Sequence, residues 1–195
     1  VPENNMNATS VEVNKFHANF GNNPIDAKLS LKGLENMNLD GNVKAKLNLE
    51  ELTSIFPLDG LTLKGMFDID ADAKGVYNEA KGTFPNVDAA MKLSDGYAKS
   101  SDYPAELKNI NMNATLINKN GSMENTILDM PRFHFDLDEE TIDGNVHVEN
   151  LNNPKYKIGV KGALDLEKLI HIAQIEDLDV KGKIIVEDFE TSGVM

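Results

Sequence analysis

The chain has 195 residues and a formal net charge of −13, with 32 acidic side chains against 19 basic ones. Because so acidic a chain repels phosphate backbones, we expect no nucleic-acid partner. The absence of cysteine excludes disulfide bonds, thiolate metal sites and a cysteine nucleophile. A hydrophobic fraction of 41% still allows an apolar core or an apolar face.

Alternation of apolar and polar side chains is the main local pattern, and it predicts β-strands. In chain order the strands are expected at residues 25–31, 43–49, 61–71, 87–93, 110–116, 133–137, 142–148, 156–166 and 178–186. Turn-forming pairs separate them, among them Asp40-Gly41, Asp95-Gly96 and Asp143-Gly144. Only two short helices are predicted, at residues 50–56 and 167–173. The strands are therefore expected to run up and down in an antiparallel sheet.

The chain also repeats itself at an offset of 117 residues. Residues 47–52 match residues 164–169, and residues 61–65 match residues 178–182, without a gap between them. We therefore predict a first repeat copy at residues 1–78, single-copy connecting strands at 79–122 and a second copy at 123–195. Together they are expected to form one continuous β domain, as a fragment of a longer protein.

Each predicted strand has one apolar face, and no long helix is predicted that could cover it. We therefore expect a mainly β fold: a long curved antiparallel sheet, either an open groove or a half-barrel, with two short helices. The residues expected to line the inner face share one phase in each strand. They are Ile25, Leu29, Val43, Leu47, Leu61, Leu63, Phe67, Ile69, Met91, Leu93, Met112, Leu116, Val146, Val148, Ile158, Val160, Leu178 and Val180.

No group of residues has the spacing of a catalytic, metal or cofactor site. The four histidines are His17, His134, His147 and His171, and none lies in a recognisable catalytic motif. The acidic residues 68, 70 and 72 resemble the start of a calcium loop, but their spacing also fits the polar side of a strand. We expect no enzymatic activity, no cofactor and no metal.

Several segments resemble the C-terminal regions of bacterial AsmA-like envelope proteins. They are residues 84–93 (FPNVDAAMKL), 95–97 (DGY), 103–112 (YPAELKNINM), 120–122 (NGS) and the stretch 151–169 that begins LNNP. The likeness covers most of residues 39–186, and the order of the segments carries it.

This resemblance implies a curved antiparallel sheet with an apolar groove, in a periplasmic protein anchored to the Gram-negative inner membrane. The family is related to TamB-type bridge-like lipid carriers, so the implied function is to bind or conduct phospholipid acyl chains without catalysis. The implied membrane anchor lies outside this fragment. Two alternatives stay open. One is a scaffold that assists outer-membrane protein assembly through contacts with envelope proteins, and the other is a closed barrel that binds one small apolar ligand.

Overall fold

The structure, a computed structural model, describes residues 8–103, 105–167 and 180–194. In these residues one ten-stranded antiparallel sheet has its strands side by side in chain order, from β1 to β10. The strands are β1 (Ser10–Phe20), β2 (Asn23–Lys32), β3 (Met37–Asn48), β4 (Leu61–Tyr77), β5 (Asn86–Ser100), β6 (Glu106–Asn118), β7 (Thr126–Leu137), β8 (Glu140–Glu149), β9 (Lys155–Asp165) and β10 (Lys183–Val194). The predicted mainly β antiparallel fold is confirmed. The sheet is open, with β1 and β10 at its two edges.

Helical structure is confined to short segments between strands. Helix α1 (Leu49–Ile55) follows β3, and its N-terminus is capped by Asn48, whose side chain accepts a hydrogen bond from the Glu51 amide at 3.1 Å. This confirms the first predicted helix. Residues 168–173 of the second predicted helix lie outside the described residues.

The sheet is a single layer in the part of the chain that the structure describes. The only apolar residues there that are fully buried are Ala89 and Ala114, at 7% and 6% exposed. The chain exposes 12652 Å², whereas a compact monomer of 21.5 kDa exposes about 9,200 Å². The excess is expected of a sheet whose faces carry no second layer.

Several strand boundaries differ from the prediction. Strand β1 was not predicted, because an irregularity between Val13 and Phe16 interrupts its alternation. Strand β10 occupies residues 183–194 in place of the predicted 178–186. The predicted turn at Asp143-Gly144 is wrong, since both residues lie inside β8. There the Phe133 ring of β7 lies over Gly144, where a side chain would overlap it. The pairs Asp40-Gly41 and Asp95-Gly96 lie inside strands as well.

Gly65 lies at an irregularity where β5 has one residue more than β4 between Lys64 and Met66. Its φ is +116°, and an added Cβ would lie 2.7 Å from the Gly96 Cα and 2.9 Å from the Ser94 carbonyl oxygen. These neighbours are backbone atoms of the adjacent strand, so they cannot move aside as a side chain can. The position therefore requires glycine.

We predict that Gly65→Ala lowers the free energy of unfolding by about 3 kcal/mol, from the positive φ and the backbone overlap together. The matched control is Gly82→Ala, at a φ of +61° with no atom within 4 Å of an added Cβ. It should cost only about 1 kcal/mol. Urea unfolding of both variants measures the difference, and equal costs would contradict the close approach at Gly65.

Candidate binding face

The antiparallel register assigns apolar side chains from all ten strands to one face of the sheet, because directly opposed residues project to the same side. One row of opposed residues crosses every strand: Phe16, Ala27, Val43, Ala71, Ala89, Leu116, Leu128, Val148, Tyr156 and Gly193. A second row runs from β3 to β10: Leu47, Phe67, Leu93, Met112, Phe133, Gly144, Val160 and Phe189. We call this side of the sheet the apolar face. Neither row contains a charged side chain.

The predicted inner-face residues from Ile25 to Val160 lie in paired strands, and the register assigns them to this face. For example, Ile69 is opposite Met91, and Val146 is opposite Ile158. Val180 lies outside the strands, just before β10, and Leu178 lies outside the described residues. The sequence list omitted β1 and most of β7, which contribute Phe16 and Phe133 among others.

The apolar face is partly exposed across its whole width. At its edges Phe16 is 44% exposed and Phe189 is 53% exposed, while central residues such as Ile69 and Met91 are only half-buried. A monomeric soluble protein rarely exposes so continuous an apolar surface, so such a surface marks a site of interaction. The face can therefore accept a ligand or partner that is itself apolar.

The opposite face is polar, and its opposed residues alternate in charge. One row crosses the sheet through His17, Asp26, Lys44, Asp70, Ala90, Thr115, Asp129, His147 and Lys157. Within it the Lys44 ammonium lies 2.7 Å from the Asp70 carboxylate. The acidic residues 68, 70 and 72 lie on this face of β4, among the side chains of the neighbouring strands. Exposed pairs of this kind add little stability individually, but like charges directly opposite each other would be destabilising.

Three histidines make contacts that the sequence did not reveal, because each partner lies on the neighbouring strand. His17 Nδ1 lies 2.7 Å from Asp26 Oδ1, and His134 Nδ1 lies 3.1 Å from Asp143 Oδ1. The repeat offered a signal, since both members of the first pair recur 117 residues later. His171 lies outside the described residues.

The polar face holds an open depression of about 510 Å³. Its floor is the backbone of the row through Ala45, Ile69 and Met91, whose register assigns their side chains to the apolar face. Lysine and aspartate side chains of both neighbouring polar rows form its walls. Its mixed charge and open shape give no chemical class of ligand.

Metal and membrane-spanning sites were sought in the same residues. Across residues 8–103, 105–167 and 180–194, no three His, Asp or Glu side chains cluster so as to hold a metal ion. No helix in those ranges is both long and apolar enough to cross a membrane. Comparison of the chain with protein-family models, curated proteins and solved structures finds no match. The geometry of the sheet therefore carries the functional conclusion.

His147 on β8 is held between two carboxylates on the polar face. Its Nδ1 lies 2.9 Å from Asp129 Oδ1 on β7, and its Nε2 lies 3.2 Å from Glu149 Oε1 on its own strand. The hydrogen bond to Asp129 first, and that to Glu149 second, raise the pKa of His147 above its ordinary value. Lys157 is opposite His147 on β9 and opposes this effect by its charge. Protonated His147 is therefore favoured in the folded chain.

A histidine with a raised folded pKa stabilises the fold fully below its unfolded pKa of about 6.5, and the gain is lost as pH rises through the folded value. We predict that wild type exceeds His147→Gln in unfolding free energy most at pH values below about 6.5. The difference should shrink at higher pH in urea unfolding. As a control, Asp129→Asn should lower the His147 pKa measured by NMR. A difference that grows with pH would contradict this assignment.

Proposed function

We propose that the apolar face binds and conducts the acyl chains of phospholipids, in a periplasmic envelope-biogenesis protein that performs no catalysis. The observation that supports this function is the pair of uninterrupted apolar rows on a face that no layer of the described chain covers. The resemblance to AsmA-like proteins supports the envelope, and an inner-membrane anchor outside this fragment. Curvature of the sheet toward its apolar face, as a groove, is part of the proposal.

The chemistry of the rows favours acyl chains over a protein partner. Hot spots of protein interfaces are enriched in Trp, Tyr and Arg. The chain has no Trp, and the two apolar rows contain one Tyr and no Arg. Aliphatic and small side chains predominate, and burial of each acyl CH₂ against such a surface contributes about 0.8 kcal/mol. Binding therefore requires no specific polar contact.

The direction of the rows suits movement of a lipid across the sheet. Each row runs perpendicular to the strands, and neighbouring strands lie about 4.8 Å apart. An acyl chain that moves from one strand to the next meets the same kind of surface, because each step replaces one aliphatic contact with another. No strongly bound intermediate position interrupts the path, which is what conduction requires.

We further propose that the sheet contains two copies of one structural unit. The support comes from the hairpins β1–β2 and β7–β8, which have the same register at an offset of 117 residues. In the first, an irregularity separates Val13 from Phe16, and in the second an irregularity separates Met130 from Phe133. The cross-strand pair His17 with Asp26 recurs as His134 with Asp143.

The later part of the repeat needs one inserted residue. Strand β10 follows β4 at an offset of 117 as far as Val186, where its register with β9 shifts before Phe189. Beyond the shift the offset becomes 118, so that Gly75 corresponds to Gly193 and Val76 to Val194. A β-bulge accounts for one extra residue of this kind. The gapless alignment at the sequence level placed these residues out of phase.

A photoreactive residue in living cells tests lipid binding. We predict lipid adducts when it replaces Leu63 or Ile69 on the apolar face. The matched controls are the adjacent positions Thr62 and Asp70, which the same strand directs to the polar face, and these should give few lipid adducts. Adducts to protein alone at positions 63 and 69 would contradict lipid binding and favour the scaffold alternative.

The corresponding charge substitution tests transport. Leu63→Asp should block it, since an unpaired carboxylate among acyl chains carries a large desolvation cost, whereas Thr62→Asp should not. Circular dichroism and urea unfolding of both variants separate a loss of folding from a loss of transport. Unimpaired transport in a folded Leu63→Asp variant would contradict the path.

A further inference from the structure

Strand β1 forms one edge of the sheet, and it pairs only with β2 in the part of the chain described. Alternate backbone amide and carbonyl groups of an edge strand point away from its only neighbour. Two large apolar side chains of β1 are also well exposed, with Val11 at 46% and Phe16 at 44%. The edge can therefore accept a further strand.

We propose that this edge of β1 binds an antiparallel strand with the side-chain pattern of β6. The inference rests on the repeat proposed above and is independent of lipid binding. In the repeat β1 corresponds to β7, which pairs with β8 on one side exactly as β1 pairs with β2. On its other side β7 pairs with β6. The pairing of β6 with β7 thus gives the partner, its direction and its register.

The side chains of β1 suit a β6-like strand at the corresponding positions. Phe133 of β7 is opposite Met112 of β6, and Phe16 of β1 stands at the same place in the repeat. Leu128 is likewise opposite Leu116, and its counterpart in β1 is Val11. On β7, which has β6 beside it, Phe133 and Leu128 are less exposed than Phe16 and Val11 on the free edge. Strand addition would bury both apolar side chains of β1.

Charge on the polar side is also preserved between the two strands. Arg132 of β7 is opposite Asn113, and Asp129 is opposite Thr115. The counterparts in β1 are Lys15 and Glu12, which keep the sign of each charge. A β6-like strand therefore meets the same order of apolar, cationic and anionic side chains along β1 as it meets along β7.

Disulfide capture of a peptide tests this pairing in the full chain, which has no cysteine of its own. The probe is a synthetic peptide of the β6 sequence, residues 106–118, carrying Met112→Cys or Leu116→Cys. The protein carries Phe16→Cys or Val11→Cys. All four combinations are equilibrated in a thiol buffer, and the mixed disulfide is measured by mass spectrometry.

The register predicts capture for Met112→Cys with Phe16→Cys and for Leu116→Cys with Val11→Cys, since opposed Cα atoms lie about 5 Å apart, as a disulfide requires. The two exchanged combinations are displaced by four residues of the peptide, or about 13 Å. They should give about tenfold less capture, because a disulfide cannot span that separation. The same four molecules serve both sets, so thiol reactivity cancels in the comparison.

Three outcomes would overturn the proposal, and they differ in meaning. Equal capture in all four combinations, or no more than with a scrambled peptide, would show that the edge does not select this strand. Preference for the exchanged combinations would show a different register, and so remove the repeat correspondence on which the inference rests. Disulfide-linked protein dimers that exclude the peptide would assign the edge to a second copy of the chain. None of these results bears on lipid binding.

Discussion

The antiparallel register, which keeps each face of the sheet chemically uniform over ten strands, is the constraint on which the rest of the structure depends. Side chains alternate between faces along each strand, so a slip of one residue would exchange the two faces of that strand. On the polar face, opposite charges such as those of Lys44 and Asp70 meet across strands. On the apolar face, the same register aligns side chains into rows. Solubility and binding surface therefore have a common origin.

The irregularities in the ladder preserve this separation. An extra residue in one strand would reverse the phase of everything that follows it, unless a bulge accommodates the residue locally. At the irregularity between Met130 and Phe133, both flanking residues remain paired with residues of the apolar face, Val146 and Gly144. Gly65 and Gly144 allow the close approach of neighbouring backbone or ring atoms. The sheet can thus bend or twist locally without mixing its faces.

Period-two alternation was enough to predict the mainly β class, most of the strands and the apolar phase from the sequence. Glycine was less informative, because Gly144 serves contact with Phe133 inside a strand, while its sequence context is typical of a turn. The alternation of β1 is broken after Val13, which hid that strand. The partners of His17 and His134 were missed, since opposition across strands depends on register. The sequence also predicts apolar faces without showing what covers them.

The central claim is that the apolar face holds lipid, and lipid extraction followed by mass spectrometry of protein purified from cells tests it most directly. The comparison uses wild type, Met91→Glu on the apolar face and Lys92→Glu at the next position, on the polar face. The account predicts phospholipid with wild type and with Lys92→Glu, and its loss from a folded Met91→Glu variant. Wild type free of phospholipid, or equal lipid in all three proteins, would contradict it.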